Sequence, residues 1–238
     1  MNRRLLITGA GGFLGSRICE YYSNRDGYEA VGVTHRELDI EDFVAVSAFI
    51  KAIRPDYVLH CAAISNTGTC ERNPVLSEKV NVRGTINLAK ACRNAGSRMI
   101  FTSSDQIYNT SHSMEPNREG SEGKPGNVYG RDKKRAEEAM LTYLPDAVAL
   151  RLTWMYDAPS RGRAAGQGLL QKLADALKER REVEFPVHDY RGITYVWEVV
   201  RHLEEAMGLP GGVYNFGSEN RYNTFDTARL FLRELAGS

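Results

Sequence analysis

The chain has 238 residues, 42% hydrophobic and 26% charged, with 31 Lys and Arg against 30 Asp and Glu. That length can bury a sizeable core in one principal domain with a smaller lobe, while a net charge of +1 without a basic stripe makes nucleic acid an unexpected partner. The longest N-terminal apolar run, Leu5-Leu6-Ile7, is too short for a signal segment and no later run approaches a membrane span, so a cytoplasmic protein without membrane contact is expected.

Residues 4–8 read as a buried strand that enters Gly9-Ala10-Gly11-Gly12-Phe13-Leu14-Gly15, where a helical pattern over 13–23 begins. Glycines three apart at a strand-to-helix turn permit positive φ and let the backbone approach a pyrophosphate. The phosphate charge then faces the free N–H groups of the helix N-terminus. The turn is therefore a candidate dinucleotide site. A second strand at 30–33 ends in Thr34-His35-Arg36. An acidic residue at this place suits free ribose hydroxyls and a basic one suits a 2′-phosphate. Arg36, with Glu37 one step later, favours NADP(H) and leaves NAD(H) open.

Helical spacing recurs at 41–53 and 76–95, with apolar runs at 57–61 and 99–102. This alternation predicts an α/β fold of Rossmann type: a doubly wound parallel sheet, helices on both faces, ligands at the carboxyl ends of the strands. Residues 109–127 are rich in Ser, Gly, Pro, Asn and Glu and predict a long surface loop of the kind used as a lid or binding loop. A helix over 128–143 begins with Tyr129 and Lys133, four apart and hence on one face. A phenol titrates near ~10, and an adjacent ammonium stabilises the phenolate, which moves it toward the range useful for acid–base catalysis. After a strand at 147–152 comes a second polar stretch, 161–168. A helix at 169–180, a short strand at 182–185, a helix at 196–207, a strand at 212–216 and a helix at 224–236 then predict a small C-terminal lobe. The expected division is 1–156 for cofactor and catalysis and 157–238 for substrate, partly interleaved with the sheet. Cys19, Cys61, Cys70 and Cys92 include no C-x-x-C and no nearby histidine pair, so reduced thiols and no metal site are expected.

These motifs together resemble the extended branch of the short-chain dehydrogenase/reductase family. The resemblance rests on the glycine turn, Leu38-Asp39-Ile40, Cys61-Ala62-Ala63, Asn81-Val82-Arg83-Gly84-Thr85, Thr102-Ser103-Ser104-Asp105 and Asn127-Val128-Tyr129-Gly130-Arg131-Asp132-Lys133. Arg54-Pro55-Asp56, Ser104-Asp105-Gln106-Ile107-Tyr108, Arg151-Leu152-Thr153-Trp154-Met155-Tyr156 and Ile193-Thr194-Tyr195-Val196 make it most similar to the dTDP-4-dehydrorhamnose reductase group within that branch. The resemblance implies reduction of a nucleotide-linked 4-keto-6-deoxy sugar. Ser104 would polarise the carbonyl, Tyr129 would supply the proton, and Lys133 would hold ribose and tune Tyr129. It implies cofactor contacts at Gly9, Gly12, Phe13, Leu14, Gly15, Arg36, Asp39, Ile40, Ala62, Ala63, Asn81 and Thr102, shared with Tyr129 and Lys133. Ser65, Asp105, Gln106 and Trp154 fall on the substrate side. No metal takes part, and a homodimer is left open.

Three features depart from the pattern. The loop after Ala63 reads Ile64-Ser65-Asn66-Thr67-Gly68-Thr69-Cys70 instead of an aromatic followed by Val-Asp-Lys, so substrate contacts there should differ. The sequence stops soon after the helix at 224–236, where members carry a further Arg-Pro substrate motif, which predicts a reduced or changed sugar pocket. Asp132 takes the place of a common Ser and is expected to be neutral, facing away from substrate. A non-catalytic NADP(H)-binding regulator therefore competes with the reductase, since the group also resembles the regulatory subunit of methionine adenosyltransferase. A sugar-nucleotide epimerase or dehydratase is a third reading.

Overall fold

A computed structural model describes residues 2–111, 115–158 and 168–237. Strand β1 (Arg3–Thr8) leads through the glycine turn into α1 (Phe13–Ser23), β2 (Tyr28–Val33), α2 (Phe43–Ile53) and β3 (Tyr57–His60). Two short helices, α3 (Thr67–Arg72) and α4 (Pro74–Glu78), precede a π-helical turn at Lys79–Gly84 that runs into α5 (Thr85–Ala95). Strand β4 (Arg98–Ser104) ends in a 3₁₀ turn at Asp105–Tyr108, and α6 (Val128–Tyr143) leads to β5 (Val148–Leu152) and β6 (Trp154–Tyr156). Then come α7 (Leu169–Glu179), β7 (Ile193–Tyr195), α8 (Val196–Gly208), β8 (Gly212–Phe216) and α9 (Thr224–Gly237).

Six strands form one parallel sheet in the order β2-β1-β3-β4-β5-β8. The order reverses between β1 and β3, and such a switch point opens a crevice at the carboxyl ends of the strands. Alternation along β1 divides the core: Leu6 packs with Ile50, Leu88, Phe101 and Met140 beneath α2, α5 and α6. Leu5 and Ile7 pack with Ile18, Leu150, Val200 and Leu203 beneath α1 and α8. Each such fully buried side chain contributes roughly 1.5–3 kcal/mol, so the two clusters hold helices to both faces. The predicted doubly wound fold is the one observed.

The remaining differences have physical causes. The expected helix over 76–95 is continuous in path but widens into a π-turn between α4 and α5. No strand forms at 182–185; Val183 and Phe185 instead pack against Leu169, Leu173 and Ala228 of a small satellite core under α7 and α9. Alternating apolar residues there find a helical surface, not a strand edge. The unforeseen pair β6–β7 forms at Trp154 and Ile193, too short to announce itself by periodicity. Of the second polar stretch, 161–167 lies outside the described residues. Strand β8 and helix α8 complete the main sheet and one of its covering layers.

Candidate active site

The glycine turn is built by crowding. Gly9 has φ +70°, and a Cβ there would lie 2.7 Å from the Ala62 amide nitrogen, while a Cβ on Gly15 would run into the Gly9 carbonyl oxygen. No side chain caps α1 at its N-cap, Gly12, so its first amides are open to an anion. The Leu14 side chain is committed to the core, and only its backbone can serve a cofactor. Arg36 is exposed after β2, and Glu37 is turned back so that its carboxylate accepts from the Thr34 amide and hydroxyl, both at 2.8 Å. These bonds hold the Glu37 carboxyl below its usual range. Arg36 is left as the basic side chain presented at the end of β2. Asp39 caps its own turn by accepting from the Glu41 amide at 2.9 Å, and Ile40 is buried against Gly84 of the π-turn.

The loop after β3 is held from a distance. The Asn81 amide oxygen accepts from the Ile64 amide at 2.9 Å, and its nitrogen donates to the Ile64 carbonyl at 3.1 Å. Asn81 is therefore a clamp from within the π-turn, not a helix cap. Below it, the Thr85 hydroxyl donates to the Asn81 carbonyl at 2.7 Å and so accepts from His60 Nε2 at 3.0 Å. That order fixes the tautomer: His60 Nδ1 accepts from the Thr8 hydroxyl at 2.8 Å, which in turn accepts from the Ala62 amide at 3.3 Å. Burial drives the His60 pKa down to about 3, so the ring is a neutral link between the glycine turn and Asn81. Ala62 and Ala63 lie on the loop held in this way.

Ser104, Tyr129 and Lys133 meet beyond the carboxyl end of β4. The Ser104 hydroxyl lies 3.4 Å from Asp105 Oδ1 and accepts from the Gln106 amide at 3.2 Å. Ser104 faces the Tyr129 phenol and favours its ionised form. Ser103 is directed elsewhere, donating to Glu137, which is paired with Arg151 at 2.7 Å. Lys133 is buried, donates to the Thr102 carbonyl at 2.7 Å, and has its ammonium 5.7 Å from the centre of the Tyr129 ring. Burial lowers the Lys133 pKa to about 8. Burial also raises the Tyr129 phenol well above its ordinary range, with Ser104 opposing. The expected depression of the Tyr129 pKa by the ammonium is thus corrected: desolvation dominates, and the phenol keeps its proton at neutral pH.

On the substrate side, burial moves the Asp105 carboxyl up to about 6, opposed chiefly by Arg191. Arg191 lies over the Trp154 ring at 4.7 Å and pairs with Asp189 at 2.8 Å. Trp154 is 36% exposed, so its face is not consumed by the core. Ser65 is exposed beyond the clamped Ile64. The Gln106 side-chain oxygen accepts from Asn127 at 2.8 Å, the N-cap of α6. It braces the helix that carries Tyr129.

Asp132 also differs from expectation. It is buried, 4% exposed, and accepts from the buried Ser77 hydroxyl at 2.5 Å. Sequence reasoning passes over Ser77, His60, Arg191 and the Arg17–Asp157 pair at 2.8 Å. Charged residues beside apolar helix positions are the available signal for Asp132 and Arg17, but their partners lie 55 and 140 residues away. Among the described residues, no group of His, Cys, Asp and Glu could hold a metal ion, and no helix is long and apolar enough to cross a membrane.

The family model described as RmlD substrate binding domain matches residues 3–237. A protein named dTDP-4-dehydrorhamnose reductase from Mycolicibacterium smegmatis is 31% identical over 96% of this chain and 68% of its own length. Methionine adenosyltransferase 2 subunit beta from Xenopus laevis is also 31% identical, over 95% of this chain and 70% of its own. In fold, the chain is similar to a dTDP-4-dehydrorhamnose reductase from Bacillus anthracis solved in complex with NADP. The TM-score is 0.90 at 24% identity, covering 99% of this chain and 82% of that one.

Proposed function

The chain belongs to the RmlD substrate binding domain family, and from that premise we propose that it is an NADP(H)-dependent reductase of a nucleotide-linked 4-keto-6-deoxy sugar. The observation that carries this reading is the convergence of Ser104, Tyr129 and Lys133 beside the glycine turn at the carboxyl edge of one sheet. The residues fit a dinucleotide, since the tight turn leaves no room for a Cβ at Gly9 or Gly15 against its neighbouring backbone and the α1 amides carry no side-chain cap. Arg36, freed of competition by the bonding of Glu37 to Thr34, favours a 2′-phosphate.

When bound, the nicotinamide supplies the hydride. The chain supplies orientation and the proton. Tyr129 holds a proton on its phenolic oxygen at neutral pH and delivers it to the oxygen at the sugar C4 as negative charge develops there. Ser104 donates to that same oxygen and stabilises the charge. The Lys133 ammonium contributes positive potential and holds ribose. Residues 1–156 provide cofactor and catalytic groups and 157–238 the substrate lobe, apart from α8 and β8, which complete the main fold. A cytoplasmic setting belongs to the same reading and suits four free cysteines.

The test follows NADPH absorbance with an enzymatically generated dTDP-4-keto-6-deoxy sugar. Wild-type protein should consume NADPH, and Tyr129→Phe should lose about 10²–10⁴-fold in turnover while still binding NADPH. The 31% identity to a methionine adenosyltransferase subunit supports a second reading, a non-catalytic NADP(H)-binding regulator. NADPH binding without turnover of the sugar by the wild type would favour it.

A further inference from the structure

We propose that Asp132 is a positioning residue, whose carboxylate acts through Ser77 and Asn81 to hold the peptide groups of Ile64 and so the loop bearing Ala62, Ala63 and Ser65. The relay has a single direction. An ionised carboxylate only accepts, so the one proton of Ser77 goes to Asp132 Oδ2 at 2.5 Å. The Ser77 oxygen is then left to accept from Asn81 Nδ2 at 3.2 Å. With its nitrogen fixed by Ser77, the Asn81 amide has one orientation, the one that accepts from the Ile64 amide and donates to the Ile64 carbonyl. Cys70 adds a second donor to that carbonyl at 3.3 Å.

The site is closed to water. Ser77 and Cys70 are fully buried, Asn81 is 1% exposed and Asp132 is 4% exposed. The nearest cation to Asp132, Arg135, stands 3.9 Å away on an exposed side chain and offers weak compensation. A carboxylate buried with so little charge compensation costs stability, and an apolar residue would fill the place more cheaply. What the carboxylate contributes is therefore direction, which a serine here would not provide: its side chain is an atom shorter, and its hydroxyl can donate as well as accept. Asp132 immediately precedes Lys133 on α6, so the helix that carries Tyr129 and Lys133 also sets the loop that faces them.

The experiment measures exchange of the Ile64 backbone amide by NMR in the intact protein and in Asp132→Leu, Ser77→Ala, the double variant and Asp132→Asn. Protection of that amide should fall about tenfold in each of the first two and no further in the double, while amides of β1 keep theirs. Asp132→Asn retains an acceptor and should stay within about threefold of wild type. The melting temperature of Asp132→Leu should change little, since removal of a buried charge is offset by the buried Ser77 hydroxyl left without its acceptor. Wild-type exchange at Ile64 in both single variants, or additive losses in the double, overturns the proposal. In the sugar assay, which rests on the proposed reductase activity, kcat of Asp132→Leu should fall about tenfold, with a smaller loss of NADPH affinity because Ala62 and Ala63 lie on the same loop. Absence of turnover in the wild type would sink the reductase reading, while Ile64 exchange would still decide the role of Asp132.

Discussion

The glycine turn after β1 and the loop after β3 touch each other, with Gly9 against Ala62, yet they are shaped by opposite means. The turn is made by the absence of side chains: where Gly9 and Gly15 stand, any Cβ collides with backbone. The loop is made by side chains from elsewhere, with Asn81, 17 residues on, holding Ile64 by both of its peptide groups. A backbone-made site states its requirement in its own few residues. A site clamped from outside states it only in three dimensions.

That contrast can be broken or sharpened by substitution. Gly15→Ala should have the largest effect, because its Cβ would collide with a backbone carbonyl oxygen that cannot yield. A loss of about 2–4 kcal/mol in stability is expected, with NADPH binding lost as well, read by calorimetry; an unperturbed variant would show that the turn is looser than its packing. Asn81→Ala leaves the Ile64 amide unpaired and its carbonyl with only the weak Cys70 donor, and should cost about 1–3 kcal/mol. Its turnover should suffer more than its NADPH affinity, and the reverse pattern would place the clamp on the cofactor side. Arg36→Ala should weaken NADPH about tenfold and leave NADH unchanged, measured by fluorescence titration; equal losses for both would remove the basis for NADP(H) preference. The smallest effect is in pH. Lys133 is charged below its pKa of about 8, so turnover should be full on the acid side and fall by about half as pH rises to that value. Tyr129 stays protonated throughout that window, and a rate that rises through pH 8 would contradict both assignments.

The sheet is legible in the sequence because its period is local. Runs such as Leu5-Leu6-Ile7 and the spacing of α8 residues Val196, Val199, Val200 and Leu203 specify strand and helix without reference to anything distant. The short run at 182–185 misleads because the same alternation serves packing against helices as well as pairing. In the site, the glycines and the Tyr129–Lys133 spacing are visible. The choice of Ser104 over Ser103 rests on Glu137 of α6, which accepts the Ser103 proton and is itself held by Arg151 of β5. Gln106 reads as a substrate contact from its place after Ser104-Asp105, and its added bond to Asn127 is not visible in the sequence, because it depends on how the long loop returns. Asp132 reads as neutral because helical spacing gives a direction and not a partner.

Several of the longest links in the molecule join its first half to its last quarter. Arg98, at the start of β4, donates to the carbonyls of Met207 and Leu209. Tyr108 donates to Asn215 on β8, whose amide and side chain in turn hold Glu119 and Asn117 of the long loop. During synthesis, therefore, the glycine turn can take shape early, whereas the loop beside the catalytic groups, already met by Lys134 at Gly123 and by Arg151 at Glu119, gains its bonds to Asn215 only when β8 has emerged and docked. The last strand thus closes the loop over a site whose other parts are already made, and a nascent chain arrested before residue 212 would carry the dinucleotide turn and the Tyr129–Lys133 helix without the bonds that Asn215 gives the loop.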